Sequence, residues 1–308
     1  MKKAYNIENN HLVETHLDES ILDIYIEPTT EQINSIIAEY CIDQHNLYSS
    51  LDPDEIGRVE IEDDFTFILL KRPKNYSSKE QLFFKVTTVG IFVNKAKIII
   101  VMPEDIQILE GKQSYRISNG IDILLKLIYG TVFHFLGHLK VINMIIDNLE
   151  TEIHKNMKIA DLIKLYSLKK SLVYYTNAIG SNKVVLDKIK DMSKKFHFSE
   201  QNIDFLDDIL IENNQCALLT ETYSKVIDIL IKSRDSLANK HLNNVMKRLT
   251  LITTIFMPLT LISGIGGMSE WSYVFGPDNW YYSFPICFLI MGAISFLTYK
   301  IFKWNGWT

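Results

Sequence analysis

Two long uncharged stretches lie close together near the end of the chain. The first, residues 249–265, has about 17 residues, close to the minimum for a helix that crosses the hydrocarbon core of a bilayer. The second, residues 279–299, has about 21 residues with aromatic side chains at both ends, which suits the two membrane interfaces. Two buried helices of a soluble core would not need to exclude charge so completely. The pattern therefore predicts two membrane spans, at about 249–266 and 280–300.

Basic residues flank these stretches unevenly. Lys247 and Arg248 precede the first stretch, Lys300 and Lys303 follow the second, and the connector 266–278 has neither Lys nor Arg. Because basic residues concentrate on the cytoplasmic side, both termini are predicted to be cytoplasmic. The N-terminus lacks the apolar core of a cleavable signal. We expect a multi-pass protein of the cell (plasma or inner) membrane, with the lipid bilayer as one of its partners.

The N-terminal part of the chain mixes β-type apolar runs with turns. Residues 65–70 form one such run, and 89–93 with 97–101 are typical of a β-hairpin. In contrast, apolar positions at helical spacing predict a helix over 30–40. The simplest account is an α/β layer domain over residues 1–120.

From residue 121 onward the pattern becomes helical. Between 203 and 263 there is no Gly and only one Pro, which permits a single helix of about 60 residues. A helix of that length gains too little from propensity alone, so it must pack against neighbours or copies of itself. We therefore predict a helical stalk region over 121–245, a transmembrane region over 246–308, and self-association.

One face of the first predicted span repeats every seven residues with polar, small or flexible side chains. The two series are Asn243, Thr250, Met257 and Gly264, and Met246, Thr253, Thr260 and Gly267. Soluble coiled coils place Leu and Ile at such positions. The face favours a water-filled pore in which Asn243 meets a hydrated ion and the two methionines form apolar constrictions, with Leu249 at its edge. Close helix packing, with the threonines bonded to their own backbone carbonyls, is the alternative.

Composition narrows the function further. The net charge of -5 and the pI near 5.9 argue against nucleic acid as a partner. The three cysteines lie far apart with no CxxC pair, so neither a zinc knuckle nor a disulfide framework is expected. No nucleotide loop, Ser-His-Asp arrangement or His-Glu metal motif is present, so we expect a protein without enzymatic activity.

The segment 243–269 resembles the CorA family of magnesium and divalent-cation channels. The resemblance rests on Asn-Asn-Val-Met-Lys-Arg-Leu-Thr at 243–250 and on Thr-Ile-Phe-Met-Pro-Leu-Thr-Leu-Ile-Ser-Gly-Ile-Gly-Gly-Met-Ser at 254–269. It implies a CorA-like funnel: an α/β cytosolic domain, long stalk helices and two C-terminal transmembrane helices, assembled as a homopentamer. It also implies a channel for Mg²⁺ influx, with Mg²⁺ or another divalent cation as both the transported and the regulatory ion.

The chain departs from the family at the outer mouth, where the family signature is Gly-Met-Asn. Here the mouth is formed by Gly267, Met268 and Ser269, followed by Glu270. In the family the Asn amides face an ion that keeps its water shell, whereas a Ser hydroxyl is shorter and offers a weaker ring. Two alternatives to Mg²⁺ influx therefore remain: a zinc or other transition-metal transporter of the same superfamily, or a non-conducting, membrane-anchored metal sensor.

Two further groups are candidate metal ligands. Asp207 and Asp208 fall where the family carries an acid of the regulatory metal site between subunits, and Asp208 is the better match; a solvated pair near a helix start is the alternative. His134 and His138 share one helix face at i, i+4 spacing. No third ligand is near them in the sequence, so packing is the favoured interpretation for the histidines.

Overall fold

The computed structural model describes residues 1–15, 20–62, 65–75, 82–94, 96–105, 116–156, 159–267 and 280–304. By its internal contacts the chain divides into two compact units, 1–231 and 232–308. The domain boundaries predicted from the sequence, at about 120 and 245, stay a prediction.

A seven-stranded mixed sheet forms the centre of the first unit. Its strands are β1 Lys2–Glu8, β2 His11–Glu14, β3 Leu22–Ile26, β4 Arg58–Ile61, β5 Thr66–Pro73, β6 Val86–Val93 and β7 Ile98–Met102. The spatial order is β2-β1-β3-β7-β6-β5-β4, and every neighbouring pair is antiparallel except β3 with β7. The strand predicted at 65–70 and the hairpin predicted at 89–101 are confirmed as β5 and as β6 with β7.

Six helices are described. They are α1 Thr30–Tyr40, α2 Gln44–Ser49, α3 Gly120–Asn156, α4 Ile159–Asp191, α5 Glu200–Gly266 and α6 Trp280–Trp304. The helix predicted at 30–40 is α1, which begins with a capping box between Thr29 and Gln32. The long predicted helix is α5, and it runs for 67 residues without a break at Pro258.

Side chains on the two faces of the sheet belong to two separate hydrophobic cores. Along β7, Ile98 and Ile100 pack with α3, α4 and α5, whereas Ile99 and Val101 pack on the other side with Ile36 of α1. Alternation along a strand produces this division, since successive side chains point to opposite faces. Helices cover both faces, and this explains why the central strands are continuous apolar runs rather than alternating ones.

Buried polar side chains fix α4 against the sheet. The side-chain amide of Asn182 accepts from the backbone N–H of Lys71 at 2.8 Å and donates to its carbonyl oxygen at 2.7 Å. The hydroxyl of the preceding residue, Ser181, accepts from the N–H of Gly57 at 2.7 Å. These bonds satisfy backbone groups that the sheet leaves unpaired. They therefore fix the position of α4 along β5, which apolar contacts alone would not do.

Gly90 in β6 is required by the close approach of Ser50. A Cβ at residue 90 would lie 1.8 Å from Ser50 Oγ and 2.4 Å from Ser50 Cβ. Ser50 is fully buried and its hydroxyl donates to the carbonyl oxygen of Asn46 at 2.8 Å, so it has no room to move. We expect Gly90→Ala to cost about 2–3 kcal/mol of stability and to lower the melting temperature in detergent by about 4–10 °C.

The matched control for this variant is Gly137→Ala in α3. A Cβ at residue 137 meets no atom within 4 Å, so the same chemical change is expected to raise the melting temperature slightly through helix propensity. Equal melting of Gly90→Ala and wild type would show that Ser50 does not restrict this position.

Within the described residues, three helices are long and apolar enough to cross a membrane: α3 over Gly120–Glu152, α5, and α6 over Pro285–Trp304. They differ in burial, because half of the apolar window of α3 is buried inside the structure, whereas the windows of α5 and α6 have no buried residue. The predicted spans at 249–266 and 280–300 therefore fall on two helices whose apolar surfaces the chain itself leaves uncovered. The apolar character of α3 is used instead in the core of the first unit.

Candidate ion-conduction site

The seven-residue repeat of the sequence lies on one exposed side of α5. We call this surface the seam; its members are Asn243, Met246, Thr250, Thr253, Met257, Thr260, Gly264 and Gly267, and all are exposed in the single chain. Met257 is 76% exposed and Met246 is 53% exposed. At 100° per residue the opposite side of the helix carries Leu251, Ile255 and Leu259, which are half-buried. The chain therefore covers the opposite side of this helix only in part and leaves the seam open, together with flanking residues such as Ile252 and Phe256.

The hydroxyls of the seam are tied to the helix backbone. Thr250 donates to the carbonyl oxygen of Met246 at 2.9 Å, Thr253 to that of Leu249 at 2.9 Å, and Thr260 to that of Phe256 at 2.6 Å. A hydroxyl has one proton, so each Thr oxygen keeps only lone pairs for any further partner. The seam can therefore accept hydrogen bonds from the water shell of a cation. Bonds of this kind also occur where membrane helices pack closely.

The seam extends further upstream than the sequence interpretation placed it. An exposed patch follows α5 from Ser236 to Thr250, and it includes Lys240 and Lys247 beside the polar residues. Ser236 lies seven residues before Asn243, and Asn239 lies seven residues before Met246. Continuing the count by one heptad toward the N-terminus would have found both residues. They extend the polar side of α5 by one heptad toward the N-terminus, upstream of Asn243.

Of the predicted outer mouth, the structure describes only the first residue, Gly267. The N–H of Gly267 donates to the carbonyl oxygen of Ser263 at 3.0 Å, which closes the last turn of α5. Met268, Ser269 and Glu270 lie outside the described residues.

The two neighbouring acids of α5 have different surroundings. Asp207 is ion-paired with Lys190 of α4, with 2.6 Å between Oδ1 and Nζ. Asp208 is exposed. No group of three or more His, Cys, Asp or Glu among the described residues is close enough to hold a metal ion. A metal at Asp208 would thus need ligands beyond the described part of one chain.

The two histidines of α3 are packed in the core of the first unit. Their rings meet edge to face at 4.4 Å between centroids, and Nδ1 of His138 lies 2.6 Å from the Tyr175 hydroxyl oxygen. Burial lowers the pKa of His134 to about 3, helped by the charges of His138 and Arg72, and burial lowers the pKa of His138 to about 4. Both rings are therefore neutral, and the nearby guanidinium of Arg72 would repel a metal cation. This arrangement favours packing.

Residues 22–303 match the family model described as CorA-like Mg²⁺ transporter protein. The chain belongs to this family. The CorA-like chain is 26% identical to the cobalt/magnesium transport protein CorA of Methanocaldococcus jannaschii, and the similarity covers 97% of each chain. It is 28% identical to the cobalt/magnesium transport protein CorA of Thermotoga maritima over 81% of this chain and 72% of the relative.

The solved structure of the complete CorA magnesium transporter of Methanocaldococcus jannaschii has the same fold. Its TM-score is 0.84 at 22% identity, and the superposition covers 100% of this chain and 99% of that one. The resemblance and the fold class predicted from the sequence are thus confirmed: an α/β domain followed by long helices and a C-terminal apolar helix. CorA-like proteins form a family of membrane transporters rather than of enzymes.

Proposed function

We propose that this protein is a divalent-cation channel that admits Mg²⁺ through a pore lined by the seam of α5. The observation that carries the proposal is the seam itself, eight exposed residues on one side of an apolar helix, with three hydroxyl oxygens whose protons are already used. Such oxygens suit an ion that retains its water, as Mg²⁺ does. A membrane potential supplies about 2.3 kcal/mol per charge per 100 mV, so a divalent ion enters without a pump.

The pore requires several copies of the chain. A single α5 presents the seam to its surroundings, and the hydroxyls of Thr250, Thr253 and Thr260 suit a neighbouring helix or water better than lipid. Copies arranged around an axis would turn every seam inward. The number five comes from the family resemblance alone. Light scattering in mild detergent checks the proposal, and a monodisperse monomer would contradict it.

The proposed arrangement in the membrane follows the sequence. Residues 1–120 and the stalk region 121–245 lie in the cytoplasm, and the transmembrane region 246–308 crosses the bilayer twice. Both termini are cytoplasmic, because the basic residues come before the first span and after the second, and basic residues concentrate on the cytoplasmic side. The mouth with Gly267, Met268, Ser269 and Glu270 then faces outward.

Ion uptake into liposomes tests the function and the choice of ion. We expect Mg²⁺ uptake by the wild type, with a weaker preference over Co²⁺, Ni²⁺ and Zn²⁺ than a full Gly-Met-Asn signature would give. Ser269→Asn is expected to increase the Mg²⁺ preference up to about tenfold, because each restored hydrogen bond to the water shell contributes about 0.5–1.5 kcal/mol.

The same experiment separates the alternatives. The replacement of the family Asn by Ser269 favours a transition-metal transporter, and uptake of Zn²⁺ in preference to Mg²⁺ by the wild type would support it. No uptake of any ion, with metal binding intact, would identify a non-conducting sensor. Strong Mg²⁺ preference in the wild type with no change in Ser269→Asn would show that residue 269 does not select the ion.

Asp208 is the proposed regulatory metal ligand, with Asp207 beside it. Metal bound between copies at Asp208 would stabilise the assembly, so we expect Mg²⁺ at tenfold its dissociation constant to raise the melting temperature by about 3–6 °C. Asp208→Ala should reduce this rise. Asp207→Ala removes the same charge but affects a carboxylate already paired with Lys190, and it should leave most of the rise intact. An equal rise in wild type and Asp208→Ala would remove Asp208 from the mechanism.

A further inference from the structure

A groove of about 730 Å³ lies on the surface of the first unit, far along the chain from the seam. Its walls come from the segment 53–56, from the ends of β5 and β6, and from one face of α4. We call it the α4 groove. Its volume falls in the range of small-molecule sites.

Lysines outnumber acids in the lining of the α4 groove. Lys71, Lys74 and Lys85 line it together with one acid, Asp54. Acids offset the charge of the first two: Lys71 Nζ donates to the carbonyl oxygen of Pro53 at 2.6 Å and interacts with Asp52, Asp54 and Glu55, and Lys74 is ion-paired with Glu104. Lys85 and the neighbouring Lys170 supply the positive charge that attracts an anion, and phosphate is the anion that lysine ammonium groups commonly bind as point charges.

Two aromatic rings stand beside these lysines. Phe83 and Tyr174 meet edge to face with 5.7 Å between their centroids, and both line the groove. The Nζ atoms of Lys85 and Lys170 lie 5.9 Å and 5.0 Å from the Phe83 ring centre. Tyr174 is 44% exposed, so part of its ring remains open to a flat partner. The groove thus places an aromatic surface next to a group of positive charges.

The α4 groove is formed before any ligand arrives. The bonds of Ser181 to Gly57 and of Asn182 to Lys71 join its walls to one another. Gly180 also lines it, and a Cβ at that position would meet no atom within 4 Å. A site fixed in this way loses little affinity to ordering on binding.

We propose that the α4 groove binds a nucleoside phosphate, with the base stacked against Tyr174 and the phosphates near the lysines. A bare phosphate would need only the positive charges, and an apolar ligand would need only the rings. A ligand that combines a flat aromatic base with a polyanion uses both. This goes beyond the proposed ion conduction, which does not involve the α4 groove.

Equilibrium dialysis of the full chain in detergent tests the ligand class, with ATP as the probe and EDTA present so that divalent cations do not contribute. We expect saturable binding with Kd below about 1 mM. Tripolyphosphate and adenosine should each bind at least about tenfold more weakly, because each has only half of the chemistry. No saturable binding of ATP would overturn the proposal, and so would tripolyphosphate binding as tightly as ATP.

Variants locate the site. Gly180→Leu should fill the α4 groove and weaken ATP binding at least about tenfold, and its melting temperature should not fall because Leu is the better helix former. Gly137→Leu in α3 is the matched control, since residue 137 is equally open and lies outside the groove. Lys85→Glu should also weaken binding, whereas Lys140→Glu, an equal charge change on exposed α3 surface, should not.

The outcomes of these variants are decisive without any transport measurement. Wild-type affinity in both Gly180→Leu and Lys85→Glu would overturn the assignment of the α4 groove. An equal loss in Gly137→Leu or Lys140→Glu would overturn it as well, because the effect would not be local. Failure of ion conduction in liposomes would leave these binding results unaffected, so the two proposals fail separately.

Discussion

Met257→Gly is expected to raise Mg²⁺ flux through the liposome membrane about tenfold. Met257 is 76% exposed on the seam, and it is the bulkiest side chain there together with Met246. If copies of α5 surround an axis, a ring of methionines makes an apolar constriction that excludes water and ions. Removing a barrier of about 1.4 kcal/mol increases a rate tenfold. Met246→Gly should act in the same direction at the second constriction.

The control for this prediction is Ile252→Gly. Ile252 is 51% exposed on α5 but lies away from the seam. Replacing it with Gly therefore lowers helix propensity as Met257→Gly does, but it does not open the proposed pore. Its flux should match the wild type. Unchanged flux in both Met257→Gly and Met246→Gly would place the constriction elsewhere, with Leu249 at the edge of the seam as the next position to vary.

Much of the fold could be predicted because its signals are local. The absence of Gly and the single Pro between 203 and 263 are sufficient for α5, and apolar runs identify β5, β6 and β7. The parallel pairing of β3 with β7 could not be predicted, because it joins 22–26 to 98–102 across most of the domain. Such pairings depend on long-range contacts rather than on the pattern of either strand.

In the candidate site, too, local features could be predicted from the sequence and long-range contacts could not. The seam is a repeat within one helix, so counting by sevens finds it. The different surroundings of Asp207 and Asp208 depend on Lys190 of another helix, and no local pattern reports that contact. The α4 groove could not be predicted for the same reason, since its lysines and rings come from the ends of β5 and β6 and from α4, which is distant from them in the sequence.

The strongest effect on stability is expected at Asp23 of β3. Its side chain is fully buried, with Oδ2 2.9 Å from Lys97 Nζ and 3.2 Å from Lys2 Nζ, and it accepts from the hydroxyls of Ser20 and Tyr40. Asp23→Ala leaves these donors without their acceptor. We expect a loss of about 3–5 kcal/mol and a fall in melting temperature of about 6–15 °C.

The matched control for Asp23 is another acid paired with a lysine of the same strand, β1. Asp105 lies 3.5 Å from Lys3 and its side chain is 57% exposed. Because exposed pairs contribute about 0–1 kcal/mol, Asp105→Ala should melt within about 2–3 °C of the wild type. Equal effects of the two variants would show that the burial of Asp23 does not decide its contribution.

The pH dependence of the Asp23 effect follows from the direction of its pKa. Burial alone would raise the pKa of Asp23, but the hydrogen bond from Ser20 and the charges of Lys97 and Lys2 outweigh it and leave the pKa below its usual value. A carboxyl whose pKa is lowered by folding contributes stability above its unfolded pKa, about 3.9, and loses that contribution as the pH falls through the folded value. The difference in melting temperature between wild type and Asp23→Ala should therefore be constant from pH 7 to about 5 and shrink below about 4. A difference that grew on acidification would mean that the carboxyl is protonated in the folded protein, and that the lysines do not hold its charge.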